Sequence, residues 1–316
     1  MYPSTLESGE RVLLIDRRRR RYLVTLETGR QFHSHAGTID HDSMLGTEPG
    51  GIATSSNGAR FVVLRPTLAD LVVEMPRGAQ VIYPKDLGAI LLLADIYPGA
   101  RVLESGVGSG ALSMAMLRAG AEVTGYEIRD DFAEKARLNV GQSLGERELS
   151  RYEVRLGDVY AEMDTPAPDL RYDRVVLDLP EPWRVIKAAE EQLTPGGIFV
   201  AYLPSIIQVS QLRDALDQSA FGLAATQEVL LRTWHVEGLA VRPDHRMVAH
   251  TGFLTAARLL GPEATRWDRK AEPALDDKAP REVRRGGGGK RRRERDPAPE
   301  ADRAADPEAS PEASRE

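Results

Sequence analysis

A chain of 316 residues, 41% of them hydrophobic, is long enough to bury one large core and a smaller one. It contains no cysteine, which excludes disulfides, thiolate metal sites and thiol nucleophiles. The formal charge of −6 excludes a uniformly basic nucleic-acid surface, although phosphates are gripped by local patches and not by net charge.

From Gly9 to about residue 75 the chain alternates apolar and polar positions between many glycines. Arg11 to Ile15, Tyr22 to Leu26, Gly51 to Thr54 and Phe61 to Leu64 read as short strands of a small β domain over residues 1–75. Asn57-Gly58 is a tight-hairpin signal. The five consecutive arginines from Arg17 to Arg21 read either as a solvated turn or as an RNA contact. His33, His35 and His41 raise the question of zinc. With only Asp40 and Asp42 nearby they read as polar loop residues, and no metal is expected.

A catalytic domain is expected over residues 76–261. Pro84 opens a helix whose Leu87, Ile90, Leu91 and Ala94 form an apolar face, and Tyr83-Pro84-Lys85-Asp86 is placed as a pocket wall. Apolar runs such as Leu87 to Ile96 are too short to span a bilayer. The N-terminus, with Glu7 and Glu10, does not fit a secretion signal, and a cytoplasmic protein is expected.

The organising stretch is RVLESGVGSGALSMAMLRAGAEVTGYEIR, from Arg101 to Arg129. It predicts a strand, a glycine loop, a helix and a second strand closed by Glu127. Gly106, Gly108 and Gly110 let the backbone approach a ligand, and an acid at the end of the second strand suits the hydroxyls of a ribose. Gly106, Gly108 and Ala111 also fit the dinucleotide fingerprint, so the loop alone leaves nicotinamide and flavin cofactors open. Glu104 moves the balance. A carboxylate there repels a pyrophosphate and attracts the ammonium group of S-adenosylmethionine.

A helix is expected from about Asp131 to Val140, then a strand from Tyr152 to Arg155 leading into Gly157-Asp158-Val159. Asp158 is placed either to accept a hydrogen bond from an adenine amino group or to cap a helix. Arg174 to Asp178 is a fourth parallel strand running into Leu179-Pro180-Glu181-Pro182-Trp183. Ligands of open parallel sheets collect at the carboxyl ends of the strands, so Asp178 is expected to share a crevice with Glu104, Glu127 and Asp158. Leu193 to Gly197 ends a helix before the strand Ile198 to Leu203, and a further helix spans Gln208 to Gln218. Glu228 to Val236 and Thr251 to Arg258 are expected to pair as an edge hairpin carrying Arg242-Pro243-Asp244-His245 in its loop. From Pro262 to residue 316 the alternating charges, Gly286 to Gly289 and Lys290 to Arg293 give no core pattern, and a disordered charged tail is expected. The element order fits a seven-stranded methyltransferase sheet.

The segments PRGAQVIYPKD, VLESGVGSGAL, GYEIRDDFAEKARLNV, GDV, LDLPEPW and WHVEGLAVRPDHRMVAHTGFL resemble those of the tRNA (adenine-58-N1)-methyltransferase family, of the bacterial and archaeal homo-oligomeric type. FHSHAGTIDHD and SSNGARFVVLRP extend the similarity into the first domain, so that it runs from Gly9 to Leu260. The resemblance implies an α/β class I S-adenosyl-L-methionine-dependent methyltransferase fold and a homotetramer acting on the tRNA T-loop. By position it implies Ser109, Gly110, Ala111 and Leu112 at the methionine end, Glu127 at the ribose, and Phe132, Asp158 and Val159 around the adenine. It further implies a backbone contact at Ile82 and a catalytic Asp178. Two other classes share parts of the pattern. A small-molecule or protein methyltransferase would not need the first domain and the basic loop, and a non-catalytic tRNA-binding subunit would lack the glycine loop and Asp178.

Overall fold

A computed structural model describes residues 4–75, 78, 80–162 and 171–269. The N-terminal part is built from β1 (Arg11–Ile15), β2 (Arg21–Thr25), a separate hairpin of β3 (Gln31–Ser34) and β4 (Gly37–Asp40), then β5 (Ile52–Thr54) and β6 (Arg60–Leu64). The four-stranded sheet has the order β2-β1-β6-β5 and is antiparallel throughout. Its own small core gathers Leu6, Val12, Leu14, Leu26, Ile39 and Phe61, with Tyr22 and Phe32 packed edgewise on Phe61. The Asn57-Gly58 hairpin forms, with Gly58 at φ 76°. The β3–β4 hairpin has no counterpart in the sequence reading, because its four-residue strands are too short to show a period.

Helix α1 (Leu68–Glu74) follows, within a stretch expected to be β-rich. It starts at a reciprocal cap in which Thr67 accepts from the Asp70 N–H and Asp70 accepts from the Thr67 N–H, and it sends Val72 and Met75 into the larger core. Helix α2 (Pro84–Leu93) carries Pro84 in its first turn, as expected.

The larger part continues with β7 (Arg101–Ser105), α3 (Ala111–Arg118), β8 (Glu122–Glu127), α4 (Asp130–Leu144), α5 (Glu146–Leu149), β9 (Tyr152–Leu156) and α6 (Val159–Glu162). After it come β10 (Tyr172–Leu177), α7 (Ile186–Gln192), β11 (Leu193–Leu203) and α8 (Ile206–Asp217). The chain closes with β12 (Phe221–Glu228), β13 (Trp234–Glu237), β14 (Ala240–Pro243), β15 (Phe253–Leu259) and α9 (Pro262–Asp268). Seven strands form one sheet in the order β12-β15-β11-β10-β7-β8-β9. Strands β7 to β11 run parallel, and β15 lies antiparallel between β11 and β12. The parallel strands are near-continuous apolar runs because both faces are covered. One face carries a core with α2, α3 and α4, and the other a core with α7 and α8.

Two further expectations differ from the structure. The edge pair is β12 with β15, ending at Glu228, and residues 229–252 leave the sheet as an excursion with its own β13–β14 hairpin. The apolar run Val229-Leu230-Leu231 imitates a core strand, yet Leu230 and Leu231 are exposed. The expected disordered tail begins with helix α9, which has Pro262 at its start and docks on β12 through a bond from the Leu223 N–H to Asp268, 2.9 Å. The tail beyond Arg269 lies outside the described residues.

Candidate active site at the carboxyl edge of the sheet

From β7 the chain adds β8 and β9 on one side and then crosses to place β10 on the other. That reversal opens a crevice above β7 and β10. The register fixes what lines it. Glu104 pairs with both Gly125 and Val176, and Val176 pairs with Val200, so these four lie in one line across the sheet. Side chains repeat every two residues along a strand. Two residues further toward the carboxyl ends, on the same face, come Glu127, Gly106, Asp178 and Tyr202. The ladder continues that far, because Asp178 N–H donates to the Ser105 carbonyl (2.9 Å) and Gly106 N–H to that of Tyr126 (3.3 Å).

Gly106 sits at φ 84°, and a Cβ built on it would lie 2.0 Å from the Asp178 carbonyl oxygen. Only glycine lets the two strand ends come this close. Gly110, at φ 83°, starts α3 against Ala136 of α4, and Gly108 donates its N–H to Glu127 Oε2 at 2.9 Å. The second Glu127 oxygen accepts the Arg129 N–H at 3.0 Å. The glycine loop and the acid that closes β8 thus hold each other before any ligand is involved.

Of the four acids expected to share this crevice, the register sets one at a different depth. Glu104 lies one row deeper than Glu127 and Asp178 and is completely buried beneath α3. Ser113 Oγ donates to its Oε2 (2.6 Å) and also meets the Tyr152 hydroxyl (2.9 Å), while Glu104 Oε1 has no partner. Burial, then the nearby charges of Asp178 and Glu127, push the Glu104 pKa up to about 8 against the opposing Ser113 bond. Asp178 is only partly shielded as a residue, yet desolvation of its carboxyl pushes its pKa up to about 7. Ser109, in the glycine loop, is buried, and its Oγ also lacks a partner.

Asp158 accepts the Tyr160 N–H at 3.0 Å and so caps α6 with one oxygen from the end of β9. Phe132, in the first turn of α4, is buried under the Arg129 guanidinium, 3.9 Å from the ring centroid. Ile82, Ala111 and Leu112 pack into the α2–α3–α4 core, whereas the Val159 side chain belongs to the opposite one. Trp183 packs on that second core and anchors the Leu179–Trp183 loop, which Gln208 also holds through the Pro180 carbonyl, 2.9 Å.

The sequence reading missed Tyr202, Thr251 and the pairing of His250. The Tyr202 hydroxyl donates to the Thr251 carbonyl at 2.6 Å, and burial followed by the charges of Asp86 and Asp178 raises its pKa. His250 bonds Glu228 (2.7 Å) and the Pro204 carbonyl (3.0 Å). No local motif marks these residues, since each partner is distant in sequence.

The arginine run forms the β1–β2 turn and opens β2 at Arg21. Asp16 holds Arg20 (2.7 Å) and Asp70 holds Arg21 (2.5 Å), leaving Arg17, Arg18 and Arg19 exposed. Arg242, His245 and Arg246 are exposed on the 229–252 excursion. His41 is buried and accepts the Glu27 N–H at 3.0 Å, and His35 meets Arg20. Among the described residues no cluster of histidine and acidic groups can hold a metal ion, and no helix is long and apolar enough to cross a membrane.

The tRNA methyltransferase complex GCD14 subunit family matches residues 60–242, more than half of the chain. The chain belongs to that family of tRNA methyltransferases. A TrmI-like N-terminal family matches residues 5–52. Among similar proteins, the tRNA (adenine(58)-N(1))-methyltransferase TrmI of Thermus thermophilus is 40% identical over 251 residues, 78% of this chain and 96% of the relative. A SAM-dependent O-methyltransferase from Thermotoga maritima shares the fold at a TM-score of 0.75 and 32% identity, covering 82% of this chain and 96% of that one. The tRNA (m1A58) methyltransferase TrmI of Aquifex aeolicus does so at a TM-score of 0.69 and 28% identity, covering 81% and 99%. The sheet is therefore that of a class I methyltransferase, with a small N-terminal β region.

Two outcomes follow for this family member. Gly106→Ala is strained by its positive φ and by contact with Asp178, and is expected to cost about 1–3 kcal/mol, read from the denaturant midpoint. The raised pKa values of Glu104 and Asp178 mean that the folded state keeps protons which the unfolded state releases above pH about 4. Their contribution is most favourable at low pH and is lost as pH rises toward 8, by roughly 1 kcal/mol per unit for each group. Thermal melts of Glu104→Gln are expected to fall less between pH 5 and 8 than those of the parent.

Proposed function

We propose that the protein transfers a methyl group from S-adenosyl-L-methionine to N1 of adenine 58 in the tRNA T-loop. The observation that carries this reading is the row Glu127, Gly106, Asp178 and Tyr202 at the switch point of a sheet whose family methylates tRNA.

The residues present fit the cofactor. The partnerless atoms Glu104 Oε1 and Ser109 Oγ are buried polar groups, which are costly unless a ligand or water satisfies them. Gly106, Gly108 and Gly110, all at positive φ, leave the loop backbone open to close approach. Ser109 to Leu112, with Glu104, would hold the methionine end, Glu127 the ribose, and Phe132, Asp158 and Val159 the adenine, with Ile82 a backbone contact. When bound, S-adenosyl-L-methionine supplies a methyl group activated by its sulfonium.

Adenine N1 has a lone pair, so the acceptor needs no strong base. As the N1–carbon bond forms, the methyl–sulfur bond breaks with its electron pair left on sulfur as a neutral thioether, and the positive charge passes to the adenine, spreading over N1 and the exocyclic amino group. Asp178 accepts a hydrogen bond from that group, orienting the base and stabilising the charge as it develops. The remaining rate comes from alignment. A stacked adenine has to be turned out to reach the crevice. Arg242, His245 and Arg246, with Arg17 to Arg19, would grip phosphates while this happens.

Assembly into a homotetramer is supported by the β13–β14 hairpin, where Trp234 (59%), Val236 (69%), Leu239 (103%) and Val241 (59%) are exposed. Such an apolar surface suits a second copy of the chain. A division into residues 1–75 and a catalytic part that starts at residue 76 and takes in helix α9, and a cytoplasmic site of action, complete the reading. A hydroxyl acceptor is the second reading, favoured by the Asp178 pKa near 7, which suits a general base.

Incubation with labelled cofactor and unmodified tRNA transcripts, followed by nucleoside analysis, is expected to yield N1-methyladenosine; label at a ribose hydroxyl would support the second reading. Asp178→Asn is expected to lower kcat by roughly 10²–10³-fold, and full activity in that variant would end the assignment. Arg242→Ala with Arg246→Ala is expected to weaken tRNA binding and reduce the slope of log affinity against log salt by up to about 2. An unchanged slope would remove the loop from the grip.

A further inference from the structure

The excursion between β12 and β15 leaves the sheet at Val229 and returns at Thr251, and one side chain reaches both ends. Lys85 Nζ donates to the Val229 carbonyl (2.6 Å), to Thr251 Oγ1 (2.6 Å) and to Asp86 Oδ1 (2.8 Å). Thr251 Oγ1 in turn donates to Asp86 Oδ2 at 2.7 Å, closing a triangle. Three ammonium protons thus have three acceptors. The Lys85 side chain is 4% exposed and that of Asp86 is fully buried. The triangle continues to the catalytic row, because Tyr202 donates to the Thr251 carbonyl and its neighbour Gly252 leaves no room for a Cβ against the Tyr202 ring. His250 with Glu228 is a second, solvent-exposed clasp at the same roots.

Stability alone does not explain this cluster. A buried ion pair is commonly no better than well-packed apolar residues of the same volume, because desolvation offsets the attraction. What the pair offers is direction. Asp86 is fixed in the first turn of α2, and Lys85 holds both roots of the arm at defined distances from that helix.

We propose that Lys85, with Asp86 and Thr251, is a positioning group that clamps both roots of the basic arm beside Asp178, setting where RNA held by the arm meets the methyl-transfer site. This rests on the proposed function, in which the arm carries RNA. The clamp acts through the backbone at Val229 and Thr251 and through Tyr202. A misplacement of about 1 Å can cost on the order of 10²-fold in rate, so a loosened root acts on turnover more than on cofactor binding.

The test uses the full chain with Thr251→Val, Thr251→Ser and the double variant Lys85→Met with Asp86→Asn, which leaves no unpaired charge. Hydrogen exchange without RNA is expected to quicken about tenfold in residues 229–251 for Thr251→Val and the double variant, the sign of local opening. With tRNA transcripts, kcat is expected to fall about tenfold or more while cofactor affinity stays within about twofold, and Thr251→Ser is expected to restore both readouts. Parent-like exchange in the arm would overturn the clamp. Parent-like kcat in a variant with a loosened arm, or a Thr251→Ser variant as impaired as Thr251→Val, would overturn its positioning role. Failure of the RNA reading would show separately, as unchanged tRNA binding in the Arg242→Ala and Arg246→Ala variant, whereas arm exchange is measured without RNA.

Discussion

The contact on which the site depends is the approach of Gly106 to the Asp178 backbone, with 2.0 Å where a Cβ would stand. It joins the ends of β7 and β10, the two strands between which the chain reverses direction in the sheet. Through it the glycine loop, the Glu127 carboxylate bound to Gly108, and the Asp178 carboxyl become one rigid edge. Groups carried on strand ends are held more closely than groups carried on loops.

Electrostatics give this edge its chemical preference. Glu104, Glu127 and Asp178 converge, and burial of Glu104 and Asp178 raises their pKa values toward neutrality. Bringing acids together without a basic partner is unfavourable in the free protein and becomes favourable when a cation arrives. A cation is thus favoured over an anion at this edge. Burial, and then the charges of Asp86 and Asp178, act in the same direction on Tyr202, whose hydroxyl is tied to Thr251 and through it to Asp86.

Much of this edge is legible in the sequence, because parallel buried strands are apolar runs and each acid that closes one stands out. Glu104, Glu127, Asp158 and Asp178 are found that way. That Glu104 lies a row below the others is not legible, since depth is a matter of register between strands, and Glu104 faces Gly125 and Val176 only once the sheet is paired. Asp158 carries the cap that its position also allowed. Tyr202 and Thr251 escape notice because 49 residues separate them. The run Val229-Leu230-Leu231 misleads for another reason. Apolar patterning reports that a surface seeks cover, not that the cover comes from the same chain.

The β1–β2 turn and the first residue of β2 carry five arginines in a row, but two of them are already matched by Asp16 and Asp70. A polyanion lying on that turn would displace ions from three side chains and not from five. The number of letters in a basic tract therefore overstates its valence, and the acids that bracket it in space set the difference.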